Sequence, residues 1–353
     1  MKSVCCRAEM HHPVHTYNET FSNADIQQLR ADLLAGVKNP ICRVCWYDES
    51  VGQISTRQDS IKNKSPQQLQ AEIAQPKLKW LWIDPGNYCN LACRTCYPSF
   101  STSVGVEWSR RYHNKNIIQI KKPNIDVLIN EDLSALETLM ILGGEPFLDR
   151  KHLDLISSVI SQKNCVEFNI FYVTNNIKRV PDQLLDILRQ YPGIKLVVTA
   201  SIDATGKQFE YIRTKGRWHD FSENMHHLIS LSKVHPNLTY TANITISLLN
   251  CLYLDDLYQW LADHEISNIT TAFVEGADQY SFMVLSESQK QKLNKTLLES
   301  KHNLSFVAKS VATSAYDPLL IDRFWQDVEW TRSYYGLIID DYLPKLVDLI
   351  NVR

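Results

Sequence analysis

Nine cysteines stand at positions 5, 6, 42, 45, 89, 93, 96, 165 and 251, seven of them within the first 96 residues. A reducing cytosol keeps thiols from pairing, so closely spaced cysteines in such a chain point to metal binding or redox chemistry. Cys89, Cys93 and Cys96 lie in YCNLACRTCYP with the spacing C-x-x-x-C-x-x-C. Three thiolates on one tight loop can each ligate one iron of a cubane cluster, which leaves the fourth iron free for another ligand. A structural zinc site is normally closed by four ligands. A second group pairs Cys42 and Cys45, in ICRVC, with the doublet Cys5-Cys6 upstream. Vicinal side chains point in different directions, so one of Cys5 or Cys6 is expected to join Cys42 and Cys45. Zinc and iron–sulfur sites share thiolate ligands, and both stay open for this segment.

The elements that must position these residues follow from hydrophobic patterning. From Lys77 onward, β-rich runs at 78–84, 138–144, 167–174, 195–203, 238–247 and 268–276 alternate with helical stretches. The segments at 152–160, 182–191 and 254–264 carry i, i+3, i+4 apolar spacing. Six strands separated by crossovers predict an α/β fold with a parallel sheet, and near-continuous apolar runs predict strands buried on both faces. Six units are fewer than the eight of a closed barrel, so a partial (β/α)6 barrel is expected. Ligands in such sheets collect beyond the carboxyl ends of the strands. Cys89 follows the first run, Gly143-Gly144-Glu145-Pro146 the second and Thr174-Asn175-Asn176 the third, while Ser201 and Asp203 end the fourth. Two residues apart, Ser201 and Asp203 are expected on one face of that strand. Four strand ends thus converge on one polar rim, the pattern of an active site.

Composition narrows the class further. The 353 residues carry 37 Lys and Arg against 39 Asp and Glu, a net charge of −2. Sequence-blind nucleic-acid binding needs a basic surface, so no nucleic-acid partner is expected. No apolar run approaches 18 residues, so no membrane span is expected. The start, MKSVCCRAEMHH, has no apolar core of a signal peptide, and a cytoplasmic location is expected.

At Cys89, Cys93, Cys96 and the GGEP segment 143–146, the sequence resembles a radical S-adenosylmethionine (SAM) enzyme over about Lys77 to Gly276. The usual aromatic before the third cysteine is replaced by Thr95, with Tyr97 on the other side. The resemblance implies a [4Fe–4S] cluster on the three cysteines whose open iron takes the amino and carboxylate groups of SAM. It implies that Gly143, Gly144, Glu145, Pro146 and Asn175 line the SAM site, the glycines bringing backbone close to the methionine amino group. Ser201 and Asp203 match a Ser-x-Asp that meets ribose and methionine, and Arg213, in YIRTKG, an arginine that pairs with the methionine carboxylate. One electron would cleave SAM to methionine and a 5′-deoxyadenosyl radical, which takes a hydrogen from the substrate. A flavodoxin- or ferredoxin-type donor is the implied partner. A peptide or protein is the implied substrate class, with small metabolites, sugars and nucleotides left open.

Residues 1–76 resemble the front of twitch-domain, SPASM-like proteins of this superfamily. That likeness implies an auxiliary iron–sulfur cluster on Cys42, Cys45 and Cys5 or Cys6, its fourth position open or borrowed from His11 or His12, with a degenerate site as the alternative. The expected division is a Cys-rich segment 1–76, a core 77–276 and a helical cap 277–353. Cys165, before the third strand, reads as a buried small hydrophobe, and so does Cys251. Lying after the fifth strand, Cys251 has an alternative role as hydrogen donor to a substrate radical. The competing reading of the whole chain is a zinc-stabilised α/β binding protein without catalysis. Intact cysteines together with GGEP favour the enzyme.

Overall fold

The computed structural model describes residues 23–50, 52, 54–75, 77–118, 120, 125–163 and 166–351. Cys5, Cys6, His11, His12 and Cys165 lie outside them. Six strands form one sheet: β1 (Trp80–Ile83), β2 (Thr138–Ile141), β3 (Phe168–Thr174), β4 (Ile194–Ser201), β5 (Leu238–Ile246) and β6 (Ile269–Phe273). They lie side by side in chain order, and each neighbouring pair from β2 to β6 is parallel. A sheet that advances one strand per crossover without reversing is a segment of a barrel wall, as the alternation of runs predicts.

Helices α1 (Ala24–Leu34), α2 (Arg43–Ser50), α3 (Thr56–Asp59) and α4 (Pro66–Ala74) precede the sheet. Between the strands lie α5 (Thr102–Arg111) and α6 (Ile125–Ile129), then α7 (His152–Gln162), α8 (Asp182–Gln190), α9 (Gly206–Ile212) with α10 (Trp218–Val234), and α11 (Leu254–Asp263). A helical tail follows: α12 (Glu287–Leu298), α13 (Ser305–Thr313), α14 (Leu319–Tyr335), α15 (Ile339–Tyr342) and α16 (Pro344–Asn351). Gly336, in the left-handed region at φ 72°, stops α14 where a side chain would be strained.

The core explains why these runs became strands. Along β3 and β4, Ile170, Tyr172, Leu196, Val198 and Ala200 are buried, while Phe171, Val173, Val197 and Thr199 between them are half-buried. One face of β3 and β4 is therefore buried and the other only half-buried, where the apolar runs predict burial on both faces. On α8, Leu184, Leu185 and Leu188 form the apolar stripe, each such burial contributing roughly 1.5–3 kcal/mol.

The chain divides into two compact units. One holds the described residues of Met1–Leu81, Asn124–Glu137 and Asp154–Cys165; the other those of Trp82–Pro123, Thr138–Leu153 and Val166–Arg353. In the first, Asn23 caps α1 by accepting from the Asp25 and Ile26 amides, and Ile41 and Cys42 pack on Ile26 and Leu29. The second contains the cysteine triad, GGEP, the carboxyl ends of β2 to β6 and the helical tail. Among the described residues, no helix is long and apolar enough to cross a membrane.

Candidate active site

The cysteine triad rides on a stretch with no regular structure between β1 and α5. Such a stretch has no ladder of its own, so its backbone must be satisfied from outside. The Ala92 amide donates to the Thr214 carbonyl (2.9 Å) and the Arg94 amide to that of Ile212 (2.8 Å). Hydroxyls at the start of α5 hold the other side. Ser101 donates to the Leu91 carbonyl (2.7 Å) and Ser103 to that of Cys89 (2.9 Å). The Cys89 amide in turn donates to Thr102 Oγ1 (3.2 Å). Tyr97, next to Cys96, donates its hydroxyl to the Glu275 carbonyl beyond β6. The loop is therefore fixed before any metal arrives.

GGEP docks against the segment that leads into this loop. The Gly144 amide donates to the Gly86 carbonyl (2.7 Å) and the Glu145 amide to that of Tyr88 (2.8 Å). A Cβ on Gly144 would stand 2.3 Å from the Tyr88 carbonyl oxygen, and one on Gly143, at φ 102°, 2.6 Å from that of Gly86. The space a side chain would need is filled by the protein itself. Glycine is thus demanded here by backbone packing, whatever further approach a ligand makes.

Glu145 is 2 % exposed, and its carboxylate is taken up by three donors. Oε1 accepts from Thr174 Oγ1 (2.7 Å) and the Phe147 amide (3.1 Å), and Oε2 from the Asn175 amide (2.7 Å). Burial pushes its carboxyl up to about 6 against the pull of these donors. It caps the turn Pro146–Leu148 through the Phe147 amide, and its other two contacts fasten β3's end to β2's. The fastening aims Asn175. Its Nδ2 donates to Asn90 Oδ1 (2.9 Å) and lies 3.8 Å from Cys89 Sγ.

Arg213 is buried, 7 % exposed, where an arginine of no particular function would ordinarily reach solvent. Its Nη1 lies 4.0 Å from Cys93 Sγ, and its Nε lies 3.0 Å from Asp203 Oδ2. That ion pair is not an aligned hydrogen bond, because the buried Nε has no hydrogen-bond partner. Asp203, 2 % exposed, also accepts from the Thr245 amide (2.8 Å) at the end of β5. It ties β4's end to β5's and orients Arg213. Ser201 is half-buried at the last position of β4, opposite Asn243, on the strand face shared with Val197 and Thr199.

Burial pushes the three thiols up, Cys96 to about 11 and Cys93 further, with Arg213 pulling Cys93 back. Such groups stay protonated until a cation compensates them. The residues fit an iron–sulfur cluster. Three thiols sit on one preformed loop, with Asn175 and Arg213 positioned as donors to Cys89 and Cys93, as ligand sulfurs need. Among the described residues no three Cys, His, Asp or Glu side chains converge to hold one ion, while a cubane takes its thiolates at separate irons. The fit to SAM rests on the buried Arg213 guanidinium, held through Nε by Asp203 and with Nη1 near Cys93, a cation suited to a carboxylate.

Cys251 is buried beyond the end of β5. It is 1 % exposed, and its thiol donates to the Leu248 carbonyl (3.4 Å) in the turn after β5. Cys45 is buried and Cys42 half-buried in the first unit. Three contributors escaped the sequence reading: Asn250, wholly buried, donating to the Asp203 carbonyl (2.8 Å); Asn90, partner of Asn175; and Arg94, inside the triad. Asn250 offered only an asparagine next to a cysteine after a strand.

No protein-family description matches the chain, and no curated protein does. Among solved structures, native anSMEcpe with bound AdoMet is similar at 14% identity, over 74% of this chain and 68% of that one, with a TM-score of 0.46. Streptococcus suis SuiB bound to S-adenosylmethionine matches at 13% identity over 87% and 65%, with a TM-score of 0.38. HydG, a maturase of the [FeFe]-hydrogenase, matches at 13% over 70% and 54%, with a TM-score of 0.36. These are likenesses in the course of the chain.

Proposed function

We propose that the protein is a radical SAM enzyme, with Cys89, Cys93 and Cys96 as ligands of a [4Fe–4S] cluster. The observation that carries this reading is the preformed loop presenting three thiols to Asn175 and Arg213, at the carboxyl ends of a six-stranded partial barrel. When bound and reduced, the cluster supplies the electron that cleaves SAM. This chain's residues do the rest. Arg213, oriented by Asp203, offers a buried cation to the methionine carboxylate. The GGEP backbone and Ser201 border the same rim, and Asn175 steadies Cys89. A low-potential flavodoxin- or ferredoxin-type protein is the proposed electron donor, and a substrate of peptide or protein class the proposed hydrogen source. Cys42 and Cys45, with Cys5 or Cys6, are proposed ligands of an auxiliary iron–sulfur cluster in the segment 1–76.

The test is the triple variant Cys89→Ala, Cys93→Ala, Cys96→Ala, assayed anaerobically with a strong reductant for 5′-deoxyadenosine. Wild type should form it and the variant should not. Equal SAM cleavage in both, or zinc in place of iron in wild type, overturns the reading.

A further inference from the structure

Between Cys93 and Cys96 stands a residue that the proposed chemistry does not use. The Arg94 side chain is 3 % exposed and faces Glu107 of α5, itself 2 % exposed, through both terminal nitrogens. Its Nη1 also donates to Thr331 Oγ1 on α14 (3.0 Å), and Nη2 to the Ala92 carbonyl (3.0 Å) within the cysteine loop. Its guanidinium stands over the Tyr335 ring, 5.4 Å from the centroid. Glu107 accepts further from Trp330 Nε1 (3.1 Å) and the Tyr335 hydroxyl (2.9 Å). One buried charge pair thus joins the cysteine loop, the helix after it and a helix more than 220 residues downstream.

We infer that Arg94 is the positioning residue of the cysteine loop, and that α14 is part of the apparatus that holds Cys93 and Cys96 in place for a cluster. The inference rests on the reading of the triad as cluster ligands. Two observations favour this over a role in stability alone. Buried ion pairs cost heavy desolvation, and apolar pairs of similar size often replace them without loss, so a buried pair is weak evidence of a role in stability. The bond of Arg94 to the Ala92 carbonyl also lies within the loop itself, and that to Thr331 ties the loop to α14. Their importance is raised by a cavity of about 100 Å³ beside them, lined by Cys93, Cys96, Trp108, Arg111 and Asp327 among others. Directional hydrogen bonds do the holding, and without them the loop has room to relax into the void.

The experiment compares reconstituted full-length variants for the rate at which an iron chelator strips the cluster, and for the paramagnetic resonance spectrum of the reduced cluster. Groups that orient metal ligands typically carry about 10–100-fold in metal affinity. Arg94→Lys should therefore lose its cluster about tenfold faster than wild type, with an altered spectrum. Thr331→Val, nearly isosteric and leaving the charge pair intact, should do so by a smaller factor. The paired change Arg94→Leu with Glu107→Met removes both buried charges. It should restore the thermal stability of the metal-free chain towards wild type without restoring cluster retention. Wild-type retention and spectra in Arg94→Lys and Thr331→Val overturn the inference, and so does recovery of retention in the paired variant. A wild type that assembles no [4Fe–4S] cluster overturns the underlying reading itself, a result separate from either.

Discussion

Cys42 and Cys45 have the same spacing as Cys93 and Cys96, yet the chain builds them into different surroundings. Cys42 closes a short 3-10 turn and Cys45 lies in the helix that follows, with Cys42 packed on Ile26 and Leu29. Cys93 and Cys96 lie on irregular backbone that borrows its hydrogen bonds from Ile212, Thr214 and the start of α5. Beside the second pair, the buried Arg213 Nη1 lies 4.0 Å from Cys93 Sγ, and Asp203 is already engaged by Arg213 and the Thr245 amide. Spacing alone therefore does not separate a packed thiol from a presented one. The separation comes from where the backbone hydrogen bonds go and which polar groups face the sulfur.

The sharpest way to break this contrast is to disturb what holds the presented loop. In Gly144→Val the added side chain meets the Tyr88 carbonyl at 2.3 Å, backbone against which no rotamer helps. Overpacking of this kind costs about 3 kcal/mol or more once the backbone must shift. Urea unfolding should show that loss, and iron content should fall with it, because the displaced segment leads directly into Cys89. Loss of SAM affinity with stability and iron intact would instead mean that the glycine faces only the ligand.

A gentler probe uses Glu145, the carboxylate that aims Asn175. Its folded carboxyl is raised from 4.5 to about 6, so between those values the folded state binds more protons than the unfolded. Its contribution is fully present below about pH 4.5 and is lost as the pH rises through about 6, on the order of 2 kcal/mol. Glu145→Gln has no such titration. Thermal melts of the metal-free chain should show the gap between wild type and variant narrowing, or reversing, from pH 4.5 to 7. A constant gap would mean that the three donors fully offset the burial.

The strands and the triad were legible because both are local signals. Apolar runs such as FNIFYVT and KLVVTAS need no partner to be read, and C-x-x-x-C-x-x-C carries its spacing on its face. What stayed hidden is long-range. Arg94 finds Thr331 across 237 positions, and Glu145 finds Asn175 across 30. Nothing in a single sequence says which of 39 acids an arginine meets. The glycines show a subtler limit. Sequence says that backbone must pass close at Gly143 and Gly144, but not that the carbonyls of Gly86 and Tyr88 are what it passes. Cys251 is a similar case, since a position after a strand does not reveal that its thiol meets the Leu248 carbonyl.

The smallest effect is expected from the packed pair, and it sharpens the comparison most. Cys45→Ala removes one buried sulfur, and if packing were its whole role the cost would be about 1 kcal/mol. An auxiliary cluster makes a larger demand on the same residue. In the background where Cys89, Cys93 and Cys96 are alanine, any iron left must belong elsewhere. Mössbauer or paramagnetic resonance spectra of that variant, reconstituted under anaerobic conditions, should still show a cluster. Adding Cys45→Ala or Cys42→Ala should abolish it, while the melting point of the metal-free chain moves by only a few degrees. Zinc in place of iron would make the pair part of a structural metal site, and no metal at all would leave Cys45 as a buried sulfur and Cys42 as part of the small apolar cluster around Ile26. In that event the contrast between the two cysteine pairs becomes one between a cluster ligand set and ordinary core, decided by backbone environment at identical spacing.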